Sequence, residues 1–368
     1  MKVALVYDRV NKFGGAERVL LDLHQLYPQA PIYSLVHNPK KTAWASKINI
    51  IPTYFNKLNF LKSRHELLAP LAAMAFESFN FDEYDVVISV SSADAKAVIT
   101  KPHTLHINYC LTPTRYLWSG VAEYRSRFSF HPVFDLYLKH ARSSDLVYAS
   151  RPDYYFAISQ EVKKRLQKYY RRDSEVIYPA IDFNFWSRPE PEGIDDYYLV
   201  VSRLVPYKKV DLVIRAFNKL NKRLLIVGSG SQLSELRSIS KSNISFEGHP
   251  DDAKLRYLYS HAKALIFPQI EDFGLVPLEA QATGTPVIAY ADGGVLETVI
   301  ENKTGVFFNS QTQASLIDAV NFFESDMCSI KRSDCQKQAE RFSRSGFIDR
   351  FSAKVDTVWQ EYQKKNMS

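Results

Sequence analysis

Residues 269–294 read QIEDFGLVPLEAQATGTPVIAYADGG, and this stretch decides the architecture. An apolar run, AKALIFP (262–268), leads into it, and a second strand-like run, PVIAY (286–290), lies inside it. The order is strand, glycine-containing turn, helix, strand: one βαβ unit of a parallel sheet. Two carboxylates, Glu271 and Glu279, bracket Phe273 and Gly274. The spacing puts Glu271 at the carboxyl end of the first strand. Glu279 follows about two turns later, facing the same crevice, where open α/β sheets bind ligands. With no His or Cys beside them, these acids suit a hydroxyl-rich ligand better than a metal, because carboxylates accept hydrogen bonds from sugar hydroxyls.

The same alternation extends in both directions. Strands are predicted at Val3–Tyr7, Asp85–Val90 and Leu105–Cys110, with a helix over Ala16–Leu26. Further strands fall at Tyr197–Leu204, Arg223–Gly230 and Ile244–His249. Strands alternating with helices imply parallel sheets covered on both faces. The proline-rich run YPAIDFNFWSRPEPEG (178–193) has no period and reads as a linker. The expected organisation is therefore residues 1–178, residues 179–344, and a terminal helical segment, 345–368.

A chain of 368 residues suits two α/β domains, and 46% hydrophobic content is globular. Cys110, Cys328 and Cys335 form an odd set without C-x-x-C spacing, which fits a reducing compartment and neither a zinc site nor a disulfide framework. The opening MKVALVYDRV is too short an apolar run for a signal peptide, and LLAPLAAMAF (67–76) is too short to span a bilayer. A cytoplasmic protein is expected. The net charge of +7 is compatible with nucleic acid, an anionic membrane face or phosphate-bearing substrates. No nucleic-acid-binding motif accompanies it, so nucleic acid ranks last. Two basic segments, 57–79 and 160–172, could rest on an anionic membrane carrying a lipid-linked acceptor, or be ordinary helices with solvated faces.

The string E-D-F-G-x-V-P-x-E-A-x-A-x-G-x-P-V-I-A resembles the donor-site motif of family-4 glycosyltransferases, which have the GT-B fold. That resemblance implies two Rossmann-like doubly wound domains facing across a cleft, with the terminal helix crossing back to the first. It gives Glu271 contact with the transferred sugar and Glu279 the ribose of the nucleotide. Backbone amides around Phe273, Gly274 and Leu275 would meet sugar and phosphates. In SRLVPYKKVDLVI (202–214), Arg203 and Lys208 resemble the family's pair that grips the diphosphate, and Lys209 follows directly. Which lysine points inward stays open. Gly14 and Gly15, in a G-G-A-E-R loop, would line the donor phosphate and the acceptor pocket. Gly228 and Gly230 resemble a V-G-x-G turn near the nucleotide. A dinucleotide reading of GSGS fails because Leu233 stands where the third glycine would fall.

The segment NYCLTPTRYLW (108–118) is similar to a subgroup of mannosyltransferases that build bacterial surface polysaccharides. A His is expected there where this chain has Leu111, which can neither hydrogen-bond nor move a proton. Arg115 and Tyr116 are candidate acceptor-site residues. The resemblance implies a retaining enzyme moving a hexose, with GDP-mannose the leading donor, onto a glycan or lipid-linked acceptor at the inner membrane face. No cofactor and no metal are implied, since Arg203 and Lys208 would neutralise the leaving diphosphate. UDP-sugars are the close alternative donors. A protein that binds nucleotide-sugar without transferring it, and a nicotinamide enzyme, are the rivals from other classes.

Overall fold

The computed structural model describes all residues except 63–67, 122–130, 191–192, 326 and 368. The chain divides into two compact units, Met1–Pro179 with Phe347–Ser368, and Ala180–Gly346.

Among the described residues the first unit holds seven parallel strands: β1 (Val3–Tyr7), β2 (Ile32–Ser34), β3 (Ile50–Pro52), β4 (Val86–Ser91), β5 (Leu105–Cys110), β6 (Tyr154–Ala157) and β7 (Glu175–Val176). They lie in the order β3-β2-β1-β4-β5-β6-β7. β1 pairs with β4 from Val3 opposite Val86 to Tyr7 opposite Val90. Every residue of β1, β4 and β5 is buried, as central strands covered on both faces must be. The terminal helix, Arg344–Met367, lays Phe347 and Phe351 against Tyr109 at 6.2 and 5.3 Å between ring centres. Further along it, the Tyr362 hydroxyl donates to the Pro102 carbonyl at 2.8 Å. Residues 63–67 of the basic segment 57–79 lie outside the described residues.

The second unit repeats the pattern with β8 (Tyr198–Val201), β9 (Leu224–Val227), β10 (Ile244–Glu247), β11 (Leu265–Phe267), β12 (Val287–Tyr290) and β13 (Gly305–Phe308). Their order is β10-β9-β8-β11-β12-β13, again all parallel. The helix Val210–Leu220 buries Val210, Val213, Ile214 and Phe217 against this sheet, an i, i+3, i+4, i+7 stripe. The described residues of the predicted linker from Ala180 onward fall in this unit, and part of that stretch is regular. Ile181 bridges Ser343, and the Asp182 side chain caps the short helix Phe183–Trp186 by accepting from Phe185 N at 3.1 Å. Trp186 is buried beside Tyr259. One helical turn with a single buried aromatic leaves no periodic trace, which is why the segment looks like a connector in sequence.

Candidate functional site

In each unit the chain adds two strands on one side of its first strand, then crosses to the other side. The crossovers, between β1 and β4 and between β8 and β11, open crevices at the carboxyl ends of those strands. In the second unit the loop after β8 carries Arg203 and Lys208, and the loop after β11 carries Glu271. The fold joins the latter two: Lys208 Nζ donates to Glu271 Oε1. Their side chains are 10% and 22% exposed, so the pair is shielded but reachable from solvent.

Local sequence explains how Lys208 gets there. Leu204 and Val210, both fully buried, pin the two ends of the loop. Between them Pro206 opens the 3₁₀ turn Pro206–Lys208, and Lys209 adopts φ +54° to start the next helix. Lys208 is thereby buried and Lys209 exposed. Arg203 is exposed, hydrogen-bonds the Tyr207 hydroxyl and holds its guanidinium 5.8 Å from the Tyr207 ring centre. Lys208 Nζ stands 5.1 Å from the same ring centre, so one aromatic ring neighbours both cations.

Glycines let the loops pack. At Gly228, φ is +136° and an added Cβ would fall 2.0 Å from the Ser202 carbonyl oxygen. A Cβ at Gly230 would fall 2.2 Å from that of Leu204. This turn therefore braces the loop that carries Arg203. Gly294, which the motif contained without an assigned role, donates its N–H to the Glu271 carbonyl at 2.9 Å. Its missing Cβ would sit 2.3 Å from Phe273 Cα. Two adjacent glycines two residues past a strand, Gly293 and Gly294, are the sequence signal that could have flagged this brace.

Gly274, at φ +95°, turns the chain into the helix Leu275–Ala282. Phe273 is buried with its ring 5.7 Å from that of Phe342, so only its backbone is available to a ligand. Glu279 lies in that helix, 5% exposed, and its Oε2 accepts from the Tyr259 hydroxyl at 3.3 Å. Tyr259, in a helix of mixed charge, gave no sequence signal. At the ends of β9 and β10, Ser229 Oγ and His249 Nε2 lie 2.6 Å apart.

In the first unit the crossover is organised around Asp8. Its carboxylate accepts from Ser92 N at 2.7 Å, Ser92 Oγ at 3.0 Å and Ala95 N at 2.9 Å, tying the loop after β1 to the loop after β4. Gly14 caps the helix Gly15–Leu26 with an extended backbone that any residue adopts. A Cβ there would approach Glu17 Oε2 to 3.3 Å. Glu17 is buried and accepts from the Tyr7 hydroxyl at 2.6 Å, a structural role.

Leu111 is buried and its N–H donates to Ser91 O at 2.9 Å. Beyond it, Thr114 joins a buried network. Lys96 Nζ donates to Thr114 Oγ1 at 2.9 Å and pairs with Asp145 at 2.7 Å, while Trp118 and Tyr170 each donate to Asp145 at 2.7 Å. Burial works against the Asp145 charge, yet Lys96 and these donors hold its carboxyl below the usual range. Burial likewise pushes the neighbouring Asp94 up to about 7, with Lys96 opposing it. Tyr116 is raised well above the phenol range, mainly by burial. Arg115 is half-buried, and its carbonyl accepts from Gly120 N at 2.8 Å.

Residues 182–342 match the family described as "Glycosyl transferases group 1". The second unit thus carries the part of the chain that is similar to these glycosyltransferases, and the chain has the GT-B fold. It is similar to a GDP-mannose-dependent alpha-(1-6)-phosphatidylinositol monomannoside mannosyltransferase of Mycobacterium tuberculosis, at 33% identity over 175 residues, 40% of this chain and 45% of that one. The chain thus spans under half of that relative. It is 23% identical to alpha-1,3/1,6-mannosyltransferase ALG2 of Dictyostelium discoideum, over 96% of this chain and 98% of that protein. The solved structure of Anabaena Alr3699/HepE in complex with UDP-glucose superposes with a TM-score of 0.73 at 19% identity, covering 97% of this chain and all of that one.

Proposed function

We propose that the protein is a retaining glycosyltransferase that moves a hexose, mannose from GDP-mannose, onto a glycan or lipid-linked acceptor in cell-surface polysaccharide synthesis. The observation that carries this is the Lys208–Glu271 pair at the β8/β11 crossover, a cation beside a sugar-accepting carboxylate at a nucleotide-type binding edge. Departure of a nucleoside diphosphate builds negative charge on its oxygens, and fixed cations there lower the barrier. Lys208, with Arg203 beyond Tyr207, supplies that charge from the protein itself, without calling on a metal. Glu271 then accepts hydrogen bonds from hydroxyls of the transferred sugar, and Glu279 from the ribose. Amides of Gly274 and Leu275, at a helix start, face phosphate. Attack on the same face, with the leaving diphosphate taking the acceptor's proton, needs no protein base, so Leu111 does not preclude turnover.

GDP is favoured over UDP because the relative at 33% identity is named for GDP-mannose. The likeness to the UDP-glucose complex supports the fold alone. A peripheral position on the inner membrane face suits a lipid-linked acceptor, and no helix among the described residues is long and apolar enough to cross a membrane. Calorimetric titration of GDP tests the assignment. Glu279→Ala should weaken GDP by about 1 to 3 kcal/mol, the loss of one buried hydrogen bond, whereas Glu271→Ala should chiefly reduce transfer. Equal GDP affinity in Glu279→Ala and the parent contradicts it.

A further inference from the structure

Four side-chain amides of the second unit keep a buried oxygen that accepts no hydrogen bond among the described residues: those of Gln232, Asn243, Gln269 and Gln281. Three of them have a partner at the other end. Gln281 Nε2 donates to Pro277 O and Thr298 O, both at 3.1 Å, which ties its helix to the short one ending at Thr298. Asn243 Nδ2 donates to Phe217 O at 3.1 Å and to Lys222 O at 2.7 Å. Gln232 Nε2 donates to Glu235 Oε2 at 3.4 Å. Gln269 differs. Its carboxamide makes no hydrogen bond at either end with any described residue, although the residue is only 2% exposed.

A carboxamide offers two donors and two acceptor lone pairs, and burying them unpaired is costlier than burying an apolar side chain of the same size. A slack loop would relieve that cost by turning the amide out to water. This loop is held on both sides. Gln311 Nε2 donates to Pro268 O at 2.8 Å, and Gly294 N donates to Glu271 O at 2.9 Å. A Cβ at Gly293 would fall 2.6 Å from that same Glu271 oxygen, so the two loops lie in close contact. Gln269 thus sits in a fixed backbone two residues past β11 and two before Glu271, at the β8/β11 crossover. That is the edge at which open α/β sheets take ligands. Ile270, between the two polar residues, is 36% exposed, so the loop reaches solvent there.

We propose that Gln269 selects the sugar: its carboxamide hydrogen-bonds two neighbouring hydroxyls of the transferred hexose, the N–H donating to one and the carbonyl accepting from the other. This rests on the nucleotide-sugar reading above and adds to it the group that is recognised, a vicinal diol. A carboxamide suits a diol because its donor and its acceptor lie side by side in one plane. A phosphate would engage the donor alone and leave the buried oxygen as it is. Glu271, an acceptor only, takes a different hydroxyl of the same sugar.

Calorimetric titration of the full chain with GDP, GDP-mannose and the four monodeoxy analogues of GDP-mannose tests this. Gln269→Met keeps the length of the side chain and removes its hydrogen-bonding groups. It should leave GDP affinity within about twofold of the parent and weaken GDP-mannose by about tenfold or more, the loss of a buried hydrogen-bonded contact. In the parent, at least one monodeoxy analogue should bind about tenfold more weakly than GDP-mannose, and Gln269→Met should bind the two alike. The melting temperature of unliganded Gln269→Met should equal or exceed that of the parent, because an unpaired polar group has been removed. GDP-mannose affinity unchanged in Gln269→Met overturns the proposal and marks an amide satisfied by buried water. Equal losses for GDP and GDP-mannose overturn it by assigning the contact to the nucleotide. A parent that binds all four analogues as it binds GDP-mannose overturns it as well. A parent that binds neither GDP nor GDP-mannose defeats the nucleotide-sugar reading itself and this inference with it.

Discussion

Replacing Lys208 with Met and Glu271 with Gln, separately, should move nucleotide binding in different directions. Two opposite charges about 4 Å apart near a protein surface attract by roughly 4 kcal/mol, and partial exposure together with desolvation reduces the net to about 1 to 3 kcal/mol. Lys208 is 10% exposed and its partner 22%, so both losses and screening apply. On the proposed reading, Glu271 competes with the donor phosphate for the Lys208 ammonium. Lys208→Met removes a charge-assisted donor, worth about 1.5 to 3 kcal/mol, and should weaken GDP by roughly tenfold to a hundredfold. Glu271→Gln removes the competitor and should leave GDP affinity unchanged or up to about tenfold tighter, while sugar transfer falls about a hundredfold or more. Titration calorimetry gives the affinities, and release of GDP from GDP-mannose gives turnover. GDP binding unchanged in Lys208→Met refutes the reasoning, as does equal weakening in both variants.

Gly294→Ala should reduce transfer more than it reduces stability, because its Cβ would displace the Phe273 backbone beside Glu271; circular dichroism with a turnover assay separates the two. Lys96→Met should destabilise the first unit by about 3 to 5 kcal/mol, since Asp145 is left charged and buried, and Lys96→Met/Asp145→Leu should recover much of it in denaturant unfolding. His106 is fully buried on Ser89 Oγ at 2.8 Å, and burial lowers its pKa to about 3. The unfolded chain takes up that proton near pH 6.5 and the native one does not. Stability conferred by neutral His106 is therefore full above pH 6.5 and declines as pH falls towards 3, by about 3 kcal/mol at pH 4. Melting temperatures of His106→Gln should accordingly fall less between pH 7 and pH 4 than those of the parent.

The fold was legible where the apolar runs were long or the motif dense. Val3–Tyr7 and Leu105–Cys110 emerge with the predicted bounds because every residue in them is buried, which makes an unbroken apolar or small-polar run. The short strands β2, β3, β6, β7 and β13 were not anticipated, whereas β8 to β12, which are no longer, were read from the apolar runs that contain them and the glycine or proline turns beside them. At the site, sequence named Lys208 and Glu271 but could not pair them, because the chain between them contains most of a sheet. It left Lys208 and Lys209 equal; the left-handed turn at Lys209 separates them, sending one inward and one to solvent. Gly293 and Gly294 stood inside the motif, yet their purpose depends on a loop some twenty residues away in sequence. Tyr259 and Lys96 meet their partners only through tertiary structure, and nothing local announces them.

The account turns on a nucleotide-sugar site in the second unit, and ligand-dependent melting tests that most directly. GDP, GDP-mannose, UDP, UDP-glucose and NAD would each be titrated to saturation. At a hundred times Kd a ligand adds about 2.7 kcal/mol, which for a unit of this size is a rise of roughly 5 to 10 °C. The account predicts that rise with GDP and GDP-mannose, a smaller one with the uridine compounds and none with NAD. A response confined to the UDP series contradicts the donor assignment, and no response to any nucleotide contradicts the site.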